Sequence, residues 1–136
     1  EVNAEYRAQL ESLRKFKNVF FLGDKKEEEL PAYLKGIDVC MVPYVRNEFT
    51  KYIKANAKFF QFVASGRPVV STIGPPDFDD DIVITATAPG QFAEALRKAL
   101  KLKTAEHLRK RKRLAADHTY GARVDEMERI FDTLKR

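Results

Sequence analysis

KFFQFVASGRPVVST, Lys58 to Thr72, is the stretch on which the fold turns. Phe59, Phe60, Phe62, Val63 and Ala64 form a run apolar enough to be buried, interrupted by one polar residue, Gln61. Gly66 marks the helix end, because a left-handed cap costs Gly no steric strain. Pro68 is tolerated as the first residue of a strand or at an edge, so Val69 to Thr72 reads as a strand opening on proline. Helix, cap and strand within so short a span make the αβ half of a parallel α/β unit.

The composition bounds what surrounds that unit. A chain of 136 residues with 44% hydrophobic and 33% charged residues suits a single soluble core. No apolar run approaches the roughly 18 residues that a membrane span requires. The start, Glu1-Val2-Asn3-Ala4-Glu5, lacks both a signal-peptide pattern and a Met, so a mature or excised piece of a longer protein is expected. Cys40 is the one cysteine, which points to a reducing, cytoplasmic setting. The net charge of +5 is unevenly placed: Arg109 to Arg113 is an unbroken basic block, and Glu27 to Glu29 and Asp79 to Asp81 are acidic.

Outward from Lys58, helical and extended patterns alternate. Spacing predicts a helix over about 3–15, a short apolar strand Val19 to Leu22, and a helix within 27–35 that begins near Leu30 with Pro31 in its first turn. A strand over Ile37 to Val42 is stopped by Pro43, and a loop from Tyr44 to about Thr50 leads into a helix over 51–65. After the Val69 strand come the turn Gly74-Pro75-Pro76-Asp77, a strand Ile82 to Ile84, and a helix over 91–102. Two further helices, about 105–116 and 122–134, complete a single domain spanning 1–136. Apolar strands separated by helices predict an α/β fold, a Rossmann-like parallel sheet of about four strands with helices on both faces.

Ligands of such sheets bind beyond the carboxyl ends of the strands. Two loops qualify, Pro43 to Thr50 and Ile73 to Pro76. The first is expected to feed a helix N-terminus, where free N–H groups attract phosphate. Lys54, Lys58, Gln61 and Ser65 then form one polar stripe. Every surface helix has a solvated polar face, and that plainer account needs no ligand.

NVFFLGDKKEEELPAYLKGIDVCMVPY (18–44) resembles a segment of the glycosyltransferases with the GT-B fold, group 1 type. NEFTKYIKANAKFFQFVASGRPVVST (47–72) is similar to their donor-site segment, and HTYGARVDEMERIF (118–131) to their C-terminal helix. The resemblance implies a truncated C-terminal, nucleotide-sugar-binding domain of an enzyme of polysaccharide biosynthesis. Such an enzyme transfers a hexose from a nucleotide diphosphate sugar to a glycan or lipid-linked acceptor. It implies that Asn47, Glu48, Phe49 and Thr50 lie beside the diphosphate and sugar, that Lys58 supplies positive charge, and that Gln61 takes the place of the family's ribose-binding Glu. No cofactor beyond the donor substrate is implied. The implied partner is an N-terminal acceptor domain absent from this sequence, without which the piece is expected to be inactive.

The sequence departs from that pattern. A neutral Gln61 accepts through one carbonyl oxygen only. The family's Pro before Lys58 is missing, as are its first two strands with their phosphate-binding turn. The remaining strands are therefore expected to pair directly, the Val19 strand with the next, or to leave an edge open for a homodimer. A noncatalytic nucleotide- or partner-binding module and an epimerase-like domain are the rival readings. His107 and His118 have no Cys or carboxylate at ligand spacing, and the aspartates near Asp79 lack a calcium-loop pattern, so no metal is expected. Arg109 to Arg113 reads as a solvated helix face with at most peripheral membrane attraction and no nucleic acid. Tyr120 is expected to pack between the last two helices.

Overall fold

A computed structural model describes residues 4–53, 57–74 and 78–135. Contacts divide the chain into two compact units, Glu1–Leu30 and Pro31–Arg136. The first contains α1 (Ala4–Leu13), a series of turns, and an extended segment without strand partners.

That extended segment holds Val19 to Leu22, the expected fourth strand, and it is not a strand. Phe20, Phe21 and Leu22 are exposed, Phe20 at 77%. An apolar run becomes a strand only where another edge accepts its hydrogen bonds, and the described residues of this unit include no other strand. The side chains settle for a local contact instead: the Arg14 guanidinium lies 4.6 Å from the Phe21 ring centroid. Among the described residues the expected fourth strand is therefore not formed.

The second unit carries the sheet. After α2 (Leu30–Lys35), the strands β1 (Cys40–Val42), β2 (Val69–Ser71) and β3 (Val83–Thr85) form a parallel sheet in the order β1-β2-β3, so the fold is α/β with three strands rather than four among the described residues. Cys40 is in register with Val69, and Val69 with Val83. Side chains alternate across the pleat. Val69 and Val83 join Leu34, Val42 and Phe59 in one cluster, whereas Val70 and Ile84 join Ala95 and Ala99 in another. The first cluster is covered by α3 (Ala57–Ala64) and by Leu114 and Ala115 of α5 (Ala105–Asp117). The second is covered by α4 (Pro89–Ala99). Both faces are thus buried, as continuous apolar strands require.

The Gly–Pro punctuation works as the sequence suggests. Gly66 adopts φ +79° and its N–H reaches Val63 O at 2.9 Å, which closes α3. Pro68 lies buried just before β2, where its carbonyl accepts from the Cys40 N–H at 2.9 Å and its missing donor is not needed. At the start of α4, Pro89 opens the helix and Gln91 Oε1 accepts from Ala88 N. Thr104 and Thr119 cap α5 and α6 (Tyr120–Leu134), each accepting from the N–H three residues on.

Two expectations for the C-terminal helices are corrected by packing. Tyr120 is 92% exposed rather than packed in a crook. The basic block is not a uniformly solvated face, because Arg111 is 1% exposed. Its guanidinium donates to Gly66 O (3.1 Å), Asp81 O (2.8 Å) and Leu102 O (3.0 Å). Gly66 and Leu102 sit just beyond α3 and α4, so a cation meets two carboxyl-terminal helix ends, where the dipoles favour it. Burial pushes the Arg111 pKa below the usual guanidinium value, partly opposed by the Asp81 charge. His118 is also half-buried, with its ring 4.9 Å from Phe60 and its Nδ1 accepting from Arg123.

Beside Arg111, Lys110 bridges Asp79 (2.7 Å) and Asp81 (3.0 Å). Burial alone would raise the Asp81 pKa, but the hydrogen bond and charge of Lys110 bring it below the ordinary carboxylate value. Bonds from Asp79 and Asp81 raise Lys110 in turn. The Lys103 hydrogen bond and charge likewise lower Asp38. The depressed carboxylates contribute stability above their unfolded pKa of about 3.9 and lose it as pH falls through their folded values. Lys110 contributes below about 10.4 and loses it as pH rises through its raised value. Thermal midpoints measured across pH should therefore fall below about 5 as these carboxylates protonate, and fall again above about 9, where the buried Cys40 thiol, raised to about 11, stays protonated after an unfolded thiol would ionise. Lys110→Met should flatten the acid limb, and an acid limb unchanged in that variant would contradict the assignment.

Candidate functional site

Because all three strands are parallel, their carboxyl ends and the loops that follow them share one edge of the sheet. A cleft of about 550 Å³ opens there, within the size range of small-molecule sites. The loop after β1 contributes Arg46, Asn47, Glu48, Thr50 and Ile53. Thr72, Ile73 and Gly74 come from the end of β2, and Thr85 and Thr87 from the end of β3. The wall is polar and rich in hydroxyls.

The first loop is held by its own side chains. Asn47 Oδ1 accepts from the N–H groups of Phe49 (3.0 Å) and Thr50 (2.9 Å), an Asx-type turn. Thr50 Oγ1 accepts from Asn47 N and donates to Val45 O, both at 2.8 Å. At its base, Thr72 Oγ1 donates to Tyr44 O, and Ser71 Oγ donates to Val42 O at 3.0 Å. These bonds tie the loop to the end of β2. The second loop is set by close approach: a Cβ on Gly74 would lie 1.9 Å from Thr85 Oγ1, so only Gly brings this turn against β3.

Of the residues singled out by the sequence, Asn47, Glu48 and Thr50 line the cleft. Phe49 projects from the same loop and is 85% exposed. Lys58 and Gln61 lie on the exposed face of α3 and are not among the described residues of the wall. Phe59 turns inward, and Gln61 outward. Lys54 lies outside the described residues. The expected helix over 51–65 is described as a 3-10 turn over Thr50–Tyr52 and as α3 from Ala57. Thr85 and Thr87 escaped the sequence reading. The signal was available, since polar Thr side chains directly after the short apolar run of β3 mark a strand's carboxyl end.

Elsewhere the chemistry is plain. Among the described residues no three His, Cys, Asp or Glu side chains are grouped to hold a metal ion. Burial pushes the Cys40 thiol up to about 11, with Arg67 opposing weakly, so it is no nucleophile at neutral pH. No described helix is long and apolar enough to cross a membrane.

Comparison with known proteins places this sequence in a family. The family model described as Glycosyl transferases group 1 matches residues 2–102, which includes all three strands and their loops. Over 62 residues, 46% of this chain, the sequence is 32% identical to the "Putative teichuronic acid biosynthesis glycosyltransferase TuaH" of Bacillus subtilis (strain 168). That match spans 15% of the relative's length. No solved structure matches significantly. With the family model covering well over half of its length, this chain belongs to the group 1 glycosyl transferases.

Proposed function

We propose that the chain is the donor-binding part of a glycosyltransferase, and that the cleft receives a nucleotide diphosphate sugar whose sugar passes to a glycan or lipid-linked acceptor. The observation that carries this reading is the polar cleft at the carboxyl ends of three parallel strands, in a chain of this family. Departure of the nucleoside diphosphate builds negative charge on the leaving oxygens, and preorganised donors facing that position lower the barrier. The braced loop after β1 suits that task, because its backbone needs little reorganisation when charge develops. The Thr50, Thr72 and Thr87 hydroxyls already donate to protein oxygens, which leaves Thr85 as the wall hydroxyl with no such bond among the described residues. Acceptor contacts come from another domain, so the chain alone holds a donor without turning it over.

The test is a titration of the folded chain with uridine and guanosine diphosphate sugars, followed by residue-resolved NMR. Saturable shifts are expected at Asn47, Thr50, Thr72, Gly74 and Thr87, with little change on α6. Spectra unmoved at millimolar ligand would rule the reading out.

A further inference from the structure

We propose that Arg46, and not Lys58, supplies the charge that holds phosphate in this cleft, on a backbone kept rigid by Asn47 and Thr50. The inference rests on the donor-binding reading for what carries the phosphate, but its charge and geometry stand on their own. Arg46 is the one cation among the described residues of the wall. It makes no hydrogen bond or ion pair among the described residues, whereas Arg67 and Arg111 spend their guanidinium groups on backbone carbonyls. An exposed guanidinium beside a cleft lined by hydroxyls is available to an anion, and its planar fork matches two phosphate oxygens at once.

The bonds around Arg46 sharpen the argument. Thr50 Oγ1 donates to the carbonyl of Val45, the residue before it, and accepts from the N–H of Asn47, the residue after it. The backbone on both sides of Arg46 is therefore pinned while its side chain is left unengaged. Ordering the loop is done before a ligand arrives, which lowers the entropy lost on binding. Asn47 Oδ1 is already committed to two N–H groups of the same loop. Asn47 and Thr50 thus act as positioning residues that aim Arg46. Lys58, on the exposed face of α3, has no place on the described wall.

The experiment compares the whole chain with Arg46→Ala, Lys58→Ala, Thr50→Ala and Thr50→Ser by calorimetric titration. The probes are inorganic pyrophosphate and, separately, a uridine diphosphate sugar. Arg46→Ala is expected to weaken pyrophosphate about ten- to a hundredfold, the range of a charge-assisted hydrogen bond. Lys58→Ala should change it by less than about twofold. Thr50→Ala should weaken it by a smaller factor than Arg46→Ala, with Thr50→Ser restoring it, because the serine hydroxyl can remake both bonds. Arg46 is exposed, so its variant should keep the wild-type circular dichroism and melting profile. Equal affinity in wild type and Arg46→Ala, or a larger loss in Lys58→Ala, overturns the inference. Pyrophosphate binding that depends on Arg46, with no binding of any nucleotide sugar, sinks the donor reading and leaves this assignment standing. Nucleotide-sugar binding indifferent to Arg46 does the reverse. A wild-type chain that binds neither probe ends both.

Discussion

Replacing Arg111 with Met is expected to destabilise the second unit by about 3 kcal/mol or more, since each buried acceptor left unpaired costs about 1–3 kcal/mol. Three carbonyls lose their donor at once: Gly66 behind α3, Asp81 before β3 and Leu102 behind α4. Met fills much of the same volume, so the loss reports hydrogen bonding and helix-end charge rather than a void. Arg111→Lys should recover only part of it. A compact ammonium cannot span three acceptors placed for a fork. Urea unfolding followed by circular dichroism measures the difference. Arg109→Met and Arg113→Met, at exposed positions of the same block, are the controls and should shift stability by less than about 0.5 kcal/mol. Similar small shifts for all three variants would mean that Arg111 is as solvated as its neighbours.

Phe59→Ala should cost still more, about 3–5 kcal/mol, the usual range for truncating a buried aromatic. The ring is fully buried and lies in one cluster with Val42, Val63, Val69 and Val83, so it joins α3 to all three strands. The transfer term is large and the cavity term adds to it, because residues anchored in a sheet cannot collapse into the gap. Set against a typical domain stability of 5–15 kcal/mol, such a loss leaves little margin, and the variant is best measured at low temperature. Phe60→Ala is the comparison. Phe60 is half-buried and meets His118 and Phe78 at the edge of the core, so its truncation should cost clearly less. If the two variants unfold at the same denaturant concentration, α3 does not pack as described.

These two residues show how differently position and role can be read. Phe59 was legible as part of the apolar run leading into Gly66, although of that run only Phe59 and Val63 are buried, Phe60 and Phe62 are half-buried and Ala64 is exposed. Arg111 was not read as buried, although its spacing held the clue. Leu108, Arg111, Leu114 and Ala115 lie on one helical stripe, and the arginine occupies the middle of it. Charge alone made it look like its four basic neighbours. The site divides in the same way. The loop after β1 could be named in advance, because a strand ending in proline and followed by polar residues marks a carboxyl end. Asn47, Glu48 and Thr50 were named and line the cleft, but that Asn47 and Thr50 bond their own backbone while Arg46 does not could not be read in advance.

From the amino-acid order alone come the α/β class, the place of every helix to within a few residues except the start of α3, and the turn at Gly66. All of these depend on short-range sterics and periodicity, which operate between neighbours along the chain. Only the three-dimensional arrangement decided that Val19 to Leu22 forms no strand among the described residues, that Arg111 is buried, and that Thr85 and Gly74 meet across the mouth of the cleft. Each of those outcomes depends on a partner brought close by folding from elsewhere in the chain, or on the lack of one.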